Sequence, residues 1–132
     1  MGRAIEPLRI LVVDDEATQR ELVGGFLTKQ GHQVTPAQSG EDALASVRLA
    51  QFDLILSDCK MPGISGPELL REVKAINPDV KVLAMSGYTK YVAPKNEIGE
   101  ISGFLQKPFE SYYLLSVVRR ILDARPHDFI RN

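Results

Sequence analysis

Three aspartates, a serine and a lysine stand where they could take part in one reaction. Asp14 and Asp15 directly follow an apolar run, Asp58 comes two residues after a second run, and Ser86 and Lys107 follow two further predicted strands. Carboxylates that are brought close together repel one another, which either raises a pKa or requires a cation. Mg²⁺ suits such a set, because it prefers octahedral oxygen ligands and is usually held by one or two carboxylates and a phosphate.

Phosphoryl transfer is the reaction that these residue types favour. It needs an in-line nucleophile, with positive charge or hydrogen-bond donors around the equatorial phosphate oxygens. Asp58 can be the nucleophile, while the Lys107 ammonium and the Ser86 hydroxyl can supply the charge and a hydrogen bond. Taken singly, each of these residues is also common in a turn or at the end of a strand, where it has no role in a reaction. The conjunction at four strand ends is what predicts a site.

The elements that must position these residues follow from the hydrophobic pattern. Apolar runs at residues 10–13, 54–56 and 82–85 indicate strands buried on both faces, with helix-period segments between them. Weaker strands are predicted at residues 32–38 and 103–106, and Pro36 places the former on a sheet edge, since proline cannot donate a ladder hydrogen bond. The pattern predicts an α/β fold: a doubly wound five-stranded parallel sheet in the flavodoxin-like order 2-1-3-4-5, with helices on both faces. Ligands of such sheets bind at the carboxyl ends of the strands.

The predicted helices have recognisable ends. The first, at residues 21–30, places Leu22 on a stripe with Val23, Phe26 and Leu27, and Gly31 follows as a C-terminal cap. Two glycines inside this helix, at positions 24 and 25, should each cost about 1 kcal/mol relative to Ala. The last helix, at residues 111–122, has the clearest apolar periodicity.

Capping residues mark two other helices, and one segment is irregular. Ser39 can cap the second helix, and Ser65 with Glu68 forms a capping box for the third, whose apolar stripe ends at Ile76. Between residues 88 and 102, Pro94 and a glycine interrupt a weak apolar pattern, which predicts an irregular fourth helix.

Composition limits the function further. The 132 residues, 44% hydrophobic and 25% charged, fit one globular domain, and the net charge of −1 argues against direct nucleic-acid binding. A single cysteine, Cys59, rules out an internal disulfide and suits a reducing compartment. Neither a signal peptide nor an apolar run of about 18 residues is present, so we expect a cytoplasmic protein without a membrane segment. His32 and His127 are expected at the surface.

The motifs together resemble the receiver domains of response regulators in two-component signal transduction systems, the chemotaxis-regulator-like family. The segments that carry the resemblance are VVDDE at 12–16, SDCKMPGISG at 57–66, SG at 86–87 and GFLQKPF at 103–109. The resemblance covers residues 8–123, which leaves residues 1–7 as an N-terminal extension and residues 124–132 as a C-terminal tail.

The resemblance implies a role for each position of the motifs. Such a domain accepts a phosphoryl group from a sensor histidine kinase, a phosphotransfer protein or a small phosphodonor, and it changes partner binding through the face of its fourth helix, fifth strand and fifth helix. It catalyses only its own phosphorylation and dephosphorylation, with Mg²⁺ as cofactor and Mn²⁺ able to substitute. The implied residues are Asp58 as phosphoacceptor, Asp14, Asp15, Asp58 and the main-chain carbonyl of Lys60 as metal ligands, Lys107 as phosphate-binding cation, Ser86 as switch hydroxyl and Phe104 as switch aromatic.

Two positions tune the lifetime of the phosphorylated state in this family, and here they carry Lys60 and Tyr88. A long cation and an aromatic ring there could shield an acyl phosphate from water. The combination of SGYT with FLQKPF is also similar to receivers attached to hybrid sensor kinases.

Other functions compete with this interpretation. Haloacid dehalogenase-like phosphatases also use an aspartate nucleophile and Mg²⁺, but they need an acid/base aspartate where this chain has Lys60. A pseudo-receiver that no longer takes phosphate is disfavoured by the intact set of aspartates, serine and lysine. Four roles remain open at this point: a relay, a phosphate sink, a phosphorylation-controlled binding module and a piece of a longer regulator.

Overall fold

The strands and helices alternate along the chain in the computed structural model, which describes residues 7–58, 66–86, 103–106 and 109–123. The strands are β1 (Arg9–Val13), β2 (Gln33–Ala37), β3 (Leu54–Asp58), β4 (Lys81–Ser86) and β5 (Gly103–Gln106). We number the described helices α1 (Ala17–Lys29), α2 (Gly40–Leu49), α3 (Gly66–Ile76) and α4 (Ser111–Asp123), so the helix predicted as the fifth is α4.

The five strands form one parallel sheet in the order β2-β1-β3-β4-β5. β2 lies at one edge, and its Pro36 is paired with Val12 of β1. An edge strand tolerates proline because only one of its sides must complete a ladder. The order is the one that the sequence predicts, and the flavodoxin-like α/β fold is confirmed.

Alternate side chains of the central strands enter two separate cores. Ile10 and Val12 of β1 lie in the core under α1 and α4, whereas Leu11 and Val13 lie in the core under α2 and α3. This follows from the two-residue period of a strand, and it explains why the runs are apolar at every position. A fully buried leucine such as Leu56 contributes about 1.5–3 kcal/mol relative to an exposed one.

Local signals fix two of the helix ends. At the start of α2, the Ser39 hydroxyl accepts a hydrogen bond from the Asp42 amide at 3.1 Å. At the end of α1, Gly31 has a φ of 92° and its amide donates to the Thr28 carbonyl at 2.9 Å. The next amide, of His32, donates to the Leu27 carbonyl at 3.3 Å, so the helix ends in a Schellman motif. Both predicted caps are confirmed.

Three predicted burial states are wrong. The periodicity places Leu22 on the buried stripe of α1, but this side chain is 50% exposed, since Val23 and Leu27 face the core. Ile76 at the end of α3 is 41% exposed. His32 is predicted at the surface but is buried, because its Nδ1 accepts a hydrogen bond from the Leu8 amide at 3.2 Å.

Several predictions lie outside the described residues. These are the irregular fourth helix at residues 88–102, the Ser65 half of a capping box, and the positions of Cys59 and His127. In the described part of the chain, no helix is long and apolar enough to span a membrane.

Candidate metal centre

The carboxyl ends of the parallel strands meet at one edge of the sheet. The register pairs Val13 of β1 with Ser57 of β3, Asp58 with Met85 of β4, and Ser86 with Gln106 of β5. Asp14, Asp58 and Ser86 therefore stand on neighbouring strands or immediately after them, within one residue of the same level. The hydrophobic pattern alone predicts this convergence.

Asp14 is held in place from three directions. Its amide donates to the Ala37 carbonyl at the end of β2 at 3.0 Å, and its Oδ1 accepts from the Glu16 amide at 3.0 Å. Its carbonyl accepts a hydrogen bond from Nη1 of Arg20 at 2.6 Å. The residue is fully buried, so these bonds offset the desolvation of its polar groups.

Asp58 is the last residue of β3 and is also buried. Its carbonyl accepts a hydrogen bond from the hydroxyl of Ser57 at 3.3 Å. Asp15, by contrast, is exposed. The group thus has a buried floor, made by Asp14 and Asp58, and a side that faces solvent.

Carboxylate oxygens of Asp14, Asp15 and Asp58 all lie within 4.8 Å of one another. Octahedral Mg²⁺ binds oxygen at about 2.0–2.1 Å, so oxygens that share one ion lie about 3–4 Å apart. A spacing of at most 4.8 Å is close to this range, so the three side chains are suited to serve one ion. A hard, oxygen-preferring divalent cation fits the donor set and would relieve the repulsion among the three carboxylates.

The remaining predicted site residues are placed only in part. Ser86 ends β4, and Phe104 is paired with Ala84 in the β4–β5 ladder. Lys107 follows Gln106, the last residue of β5, and lies outside the described residues, as do Lys60 and Tyr88. The structure therefore brings the three aspartates together and sets the backbone of Ser86 at the same edge.

Sequence reasoning missed Arg20, whose guanidinium reaches back from α1 to the Asp14 carbonyl. A signal was present in the sequence. Arg20 lies four residues after the helix-capping Glu16, in a region where a cation opposes the helix dipole. A side chain that is unfavourable for its own helix can indicate a role elsewhere.

Comparison with known proteins gives one consistent family. The family model described as the response regulator receiver domain matches residues 10–119. The chain is 33% identical over 119 residues to sporulation initiation phosphotransferase F of Bacillus subtilis (strain 168), which covers 89% of this chain and 95% of that protein. It is 35% identical over 121 residues to sensor kinase CckA of Brucella abortus (strain 2308), which covers 88% of this chain but 13% of that protein.

A solved structure extends the likeness to three dimensions. Response regulator protein TrrA from Thermotoga maritima, crystallised in complex with Mg²⁺-BeF, superposes with a TM-score of 0.78 at 32% identity. The match covers 86% of this chain and 98% of that one. Likeness in sequence and in fold therefore extends from β1 into α4.

Proposed function

Because this chain belongs to the receiver domains of two-component response regulators, we propose that it is a signalling switch whose Asp58 accepts a phosphoryl group. The observation that carries the proposal is the cluster of Asp14, Asp15 and Asp58 at the carboxyl edge of the sheet. Asp58 is the only member of the cluster that ends a central strand, where a rigid, hydrogen-bonded backbone holds the nucleophile.

In the proposed reaction, a carboxylate oxygen of Asp58 attacks phosphorus in line with the donor's leaving group. A bond forms between that oxygen and phosphorus as the bond from phosphorus to the leaving group breaks, which produces an acyl phosphate. Asp14, Asp15, Asp58 and the Lys60 carbonyl would hold Mg²⁺, or Mn²⁺ in its place. When bound, the ion supplies positive charge to the equatorial oxygens. The similarity to TrrA, which was crystallised with Mg²⁺-BeF, supports this assignment.

Other residues of the chain complete the proposed site. The Lys107 ammonium pairs with a phosphate oxygen, and the Ser86 hydroxyl donates to another. The movement of Ser86 towards the phosphate is coupled to Phe104 in β5, which alters the face formed by the predicted helix at residues 88–102, β5 and α4. The chain catalyses no reaction beyond its own phosphorylation and dephosphorylation.

The proposed partners and boundaries follow from the family. The phosphoryl group comes from a sensor histidine kinase or a phosphotransfer protein, and an output protein reads the altered face. We place the receiver unit at residues 8–123, between an extension of residues 1–7 and a tail of residues 124–132. A cytoplasmic location and the lack of direct nucleic-acid binding stay predictions. The chain spans 13% of CckA, so the properties of such a longer relative do not test them.

Lys60 and Tyr88 are proposed to slow the loss of phosphate. Both positions flank the site in the sequence, and long side chains there would limit access of water to the acyl phosphate. Lys60→Ala and Tyr88→Ala variants should each release phosphate several-fold faster than the wild type, measured by the decay of the phosphorylated mass after donor removal. Unchanged decay in both variants would contradict a shielding role.

The central test is phosphorylation by acetyl phosphate, followed by intact-protein mass. The wild type should gain one phosphoryl group with Mg²⁺ and none with EDTA, whereas Asp58→Asn should gain none under either condition. Asp53→Asn is the matched control, because Asp53 lies just before β3 at the opposite end of the strand and should leave labelling intact. Equal labelling of the wild type and Asp58→Asn would refute the proposal.

A further inference from the structure

Arg20 makes a contact that its own helix does not explain. It is the fourth residue of α1, and its Nη1 donates a hydrogen bond of 2.6 Å to the carbonyl of Asp14. Because its donor is an ionised guanidinium, this bond is stronger than one between two neutral groups. Arg20 is also partly buried, so the bond is less exposed to competition from water than a surface contact would be.

The local sequence makes this placement unfavourable for α1 itself. A cation near the N-terminus of a helix opposes the helix dipole. Within the described residues, the capping residue Glu16 makes no side-chain cap bond to α1. The segment before the helix is instead held by the Asp14 Oδ1 bond to the Glu16 amide. Two hydrogen bonds therefore hold the turn that carries the two acidic residues: Asp14 Oδ1 accepts from the Glu16 amide, and the Asp14 carbonyl accepts from Arg20.

Two effects of Arg20 on a bound cation oppose each other. Its positive charge lies against the carbonyl of Asp14 and would weaken Mg²⁺ binding nearby by repulsion, an effect that solvent and salt reduce at a partly exposed position. Its hydrogen bond fixes the peptide that joins Asp14 to Asp15, and both side chains depend on that peptide for their mutual distance. Groups that orient metal ligands typically change metal affinity by about 10–100-fold when they are removed.

We propose that Arg20 is a positioning residue of the metal site, which holds the Asp14–Asp15 peptide so that both carboxylates reach one Mg²⁺. The inference rests on the proposed function, because it assigns Arg20 to the same site. Arg20 touches neither the phosphoryl group nor the ion in this role; it acts through the backbone of Asp14.

The test is Mg²⁺ titration of wild type, Arg20→Ala, Arg20→Lys and Arg48→Ala, followed by amide resonances in ¹H–¹⁵N NMR spectra. Arg48 is the matched control, since it is exposed in the last turn of α2 and its loss removes the same charge. Spectra at each magnesium concentration also report the folded fraction, so the dissociation constant is measured on folded protein. A role confined to fold stability would leave that constant unchanged.

We expect the dissociation constant for Mg²⁺ to rise about 10-fold or more in Arg20→Ala. Arg20→Lys, which keeps a charged donor, should recover most of the affinity, and Arg48→Ala should match the wild type. A dissociation constant of Arg20→Ala within twofold of the wild-type value, or below it, would overturn the inference. An equal loss of Mg²⁺ affinity in Arg20→Ala and Arg20→Lys would also overturn it. Wild type that binds no Mg²⁺ would instead refute the proposed function itself.

Discussion

At the scale of single residues, the site concentrates negative charge where folding alone would not favour it. Asp14 and Asp58 are buried, and their oxygens lie within 4.8 Å of each other and of Asp15. A divalent cation bound there would offset the repulsion among the three carboxylates. The sequence predicts this cluster because strand ends are easily located. For Arg20 the sequence offers only the unfavourable position of a cation near the start of α1, which marks the residue but does not state that its side chain reaches the Asp14 carbonyl.

Magnesium should therefore stabilise the fold through Asp15. At a concentration ten times the dissociation constant, a ligand that binds only the folded state adds about 1.4 kcal/mol to the free energy of unfolding. If Asp15→Asn raises the dissociation constant tenfold, the gain at the same concentration falls to about 0.4 kcal/mol. Urea unfolding with Mg²⁺ and with EDTA, followed by circular dichroism, measures both gains.

A matched substitution controls for loss of charge. Asp79 is exposed in the turn before β4, at the amino ends of the strands and away from the aspartate cluster. The free energy of unfolding of Asp79→Asn should therefore rise with Mg²⁺ by as much as that of the wild type. If Mg²⁺ raises the free energy of unfolding of Asp15→Asn by as much as that of the wild type, the assignment of Asp15 as a metal ligand is contradicted.

At the scale of elements, α1 shows what a periodic pattern does and does not determine. The stripe correctly includes Val23 and Leu27, but Leu22 lies at its margin and is half exposed. The helical period defines a stripe only to within one position, and packing against β1 and β2 selects its centre. The cap at Gly31 could be predicted, because a positive φ strongly favours glycine.

Two glycines of this region should respond oppositely to alanine. Gly25 is exposed within α1, and a Cβ added there would meet no described atom within 4 Å, so Gly25→Ala should raise the free energy of unfolding by about 0.5–1 kcal/mol. Gly31 has a φ of 92°, and Gly31→Ala should lower the free energy of unfolding by about 1–2 kcal/mol. Urea unfolding of the two variants checks the signs, and a stabilised Gly31→Ala would contradict the Schellman geometry.

His32 joins two elements, since its buried Nδ1 accepts a hydrogen bond from the Leu8 amide just before β1. The sequence does not predict this contact, because a glycine cap often places the following residue against the helix but does not specify its hydrogen-bond partner. Burial lowers the pKa of His32 below its ordinary value of about 6.5. The neutral form is therefore favoured by folding.

Stability should fall in acid through this histidine. Above pH 6.5 the side chain is neutral in both states; below it the unfolded chain takes up the proton first, so the free energy of unfolding decreases until the pH passes the lowered pKa. His32→Asn keeps an acceptor near the position of Nδ1 but does not titrate. Between about pH 7 and about pH 5, the free energy of unfolding should decrease less in the variant than in the wild type. Identical pH profiles would contradict the role of His32 in the acid sensitivity.

At the scale of the whole molecule, the order of the sheet brings the site together. The aspartates come from positions more than forty residues apart, and they meet because β1 and β3 are adjacent and parallel. Buried runs and the edge position of Pro36 are sufficient to predict this order. The predicted roles of Lys60, Tyr88 and Lys107 depend on side chains outside the described residues, and they stay predictions.

The most direct measurement of the central claim is the position of the phosphoryl group. The protein is phosphorylated with acetyl phosphate and Mg²⁺, and the acyl phosphate is reduced with borohydride, which converts a phosphorylated aspartate to homoserine. Peptide sequencing by mass spectrometry should find homoserine at position 58, dependent on Mg²⁺, with aspartate retained at positions 14 and 15. Homoserine at another position, or none in protein that had gained phosphoryl mass, would contradict the account.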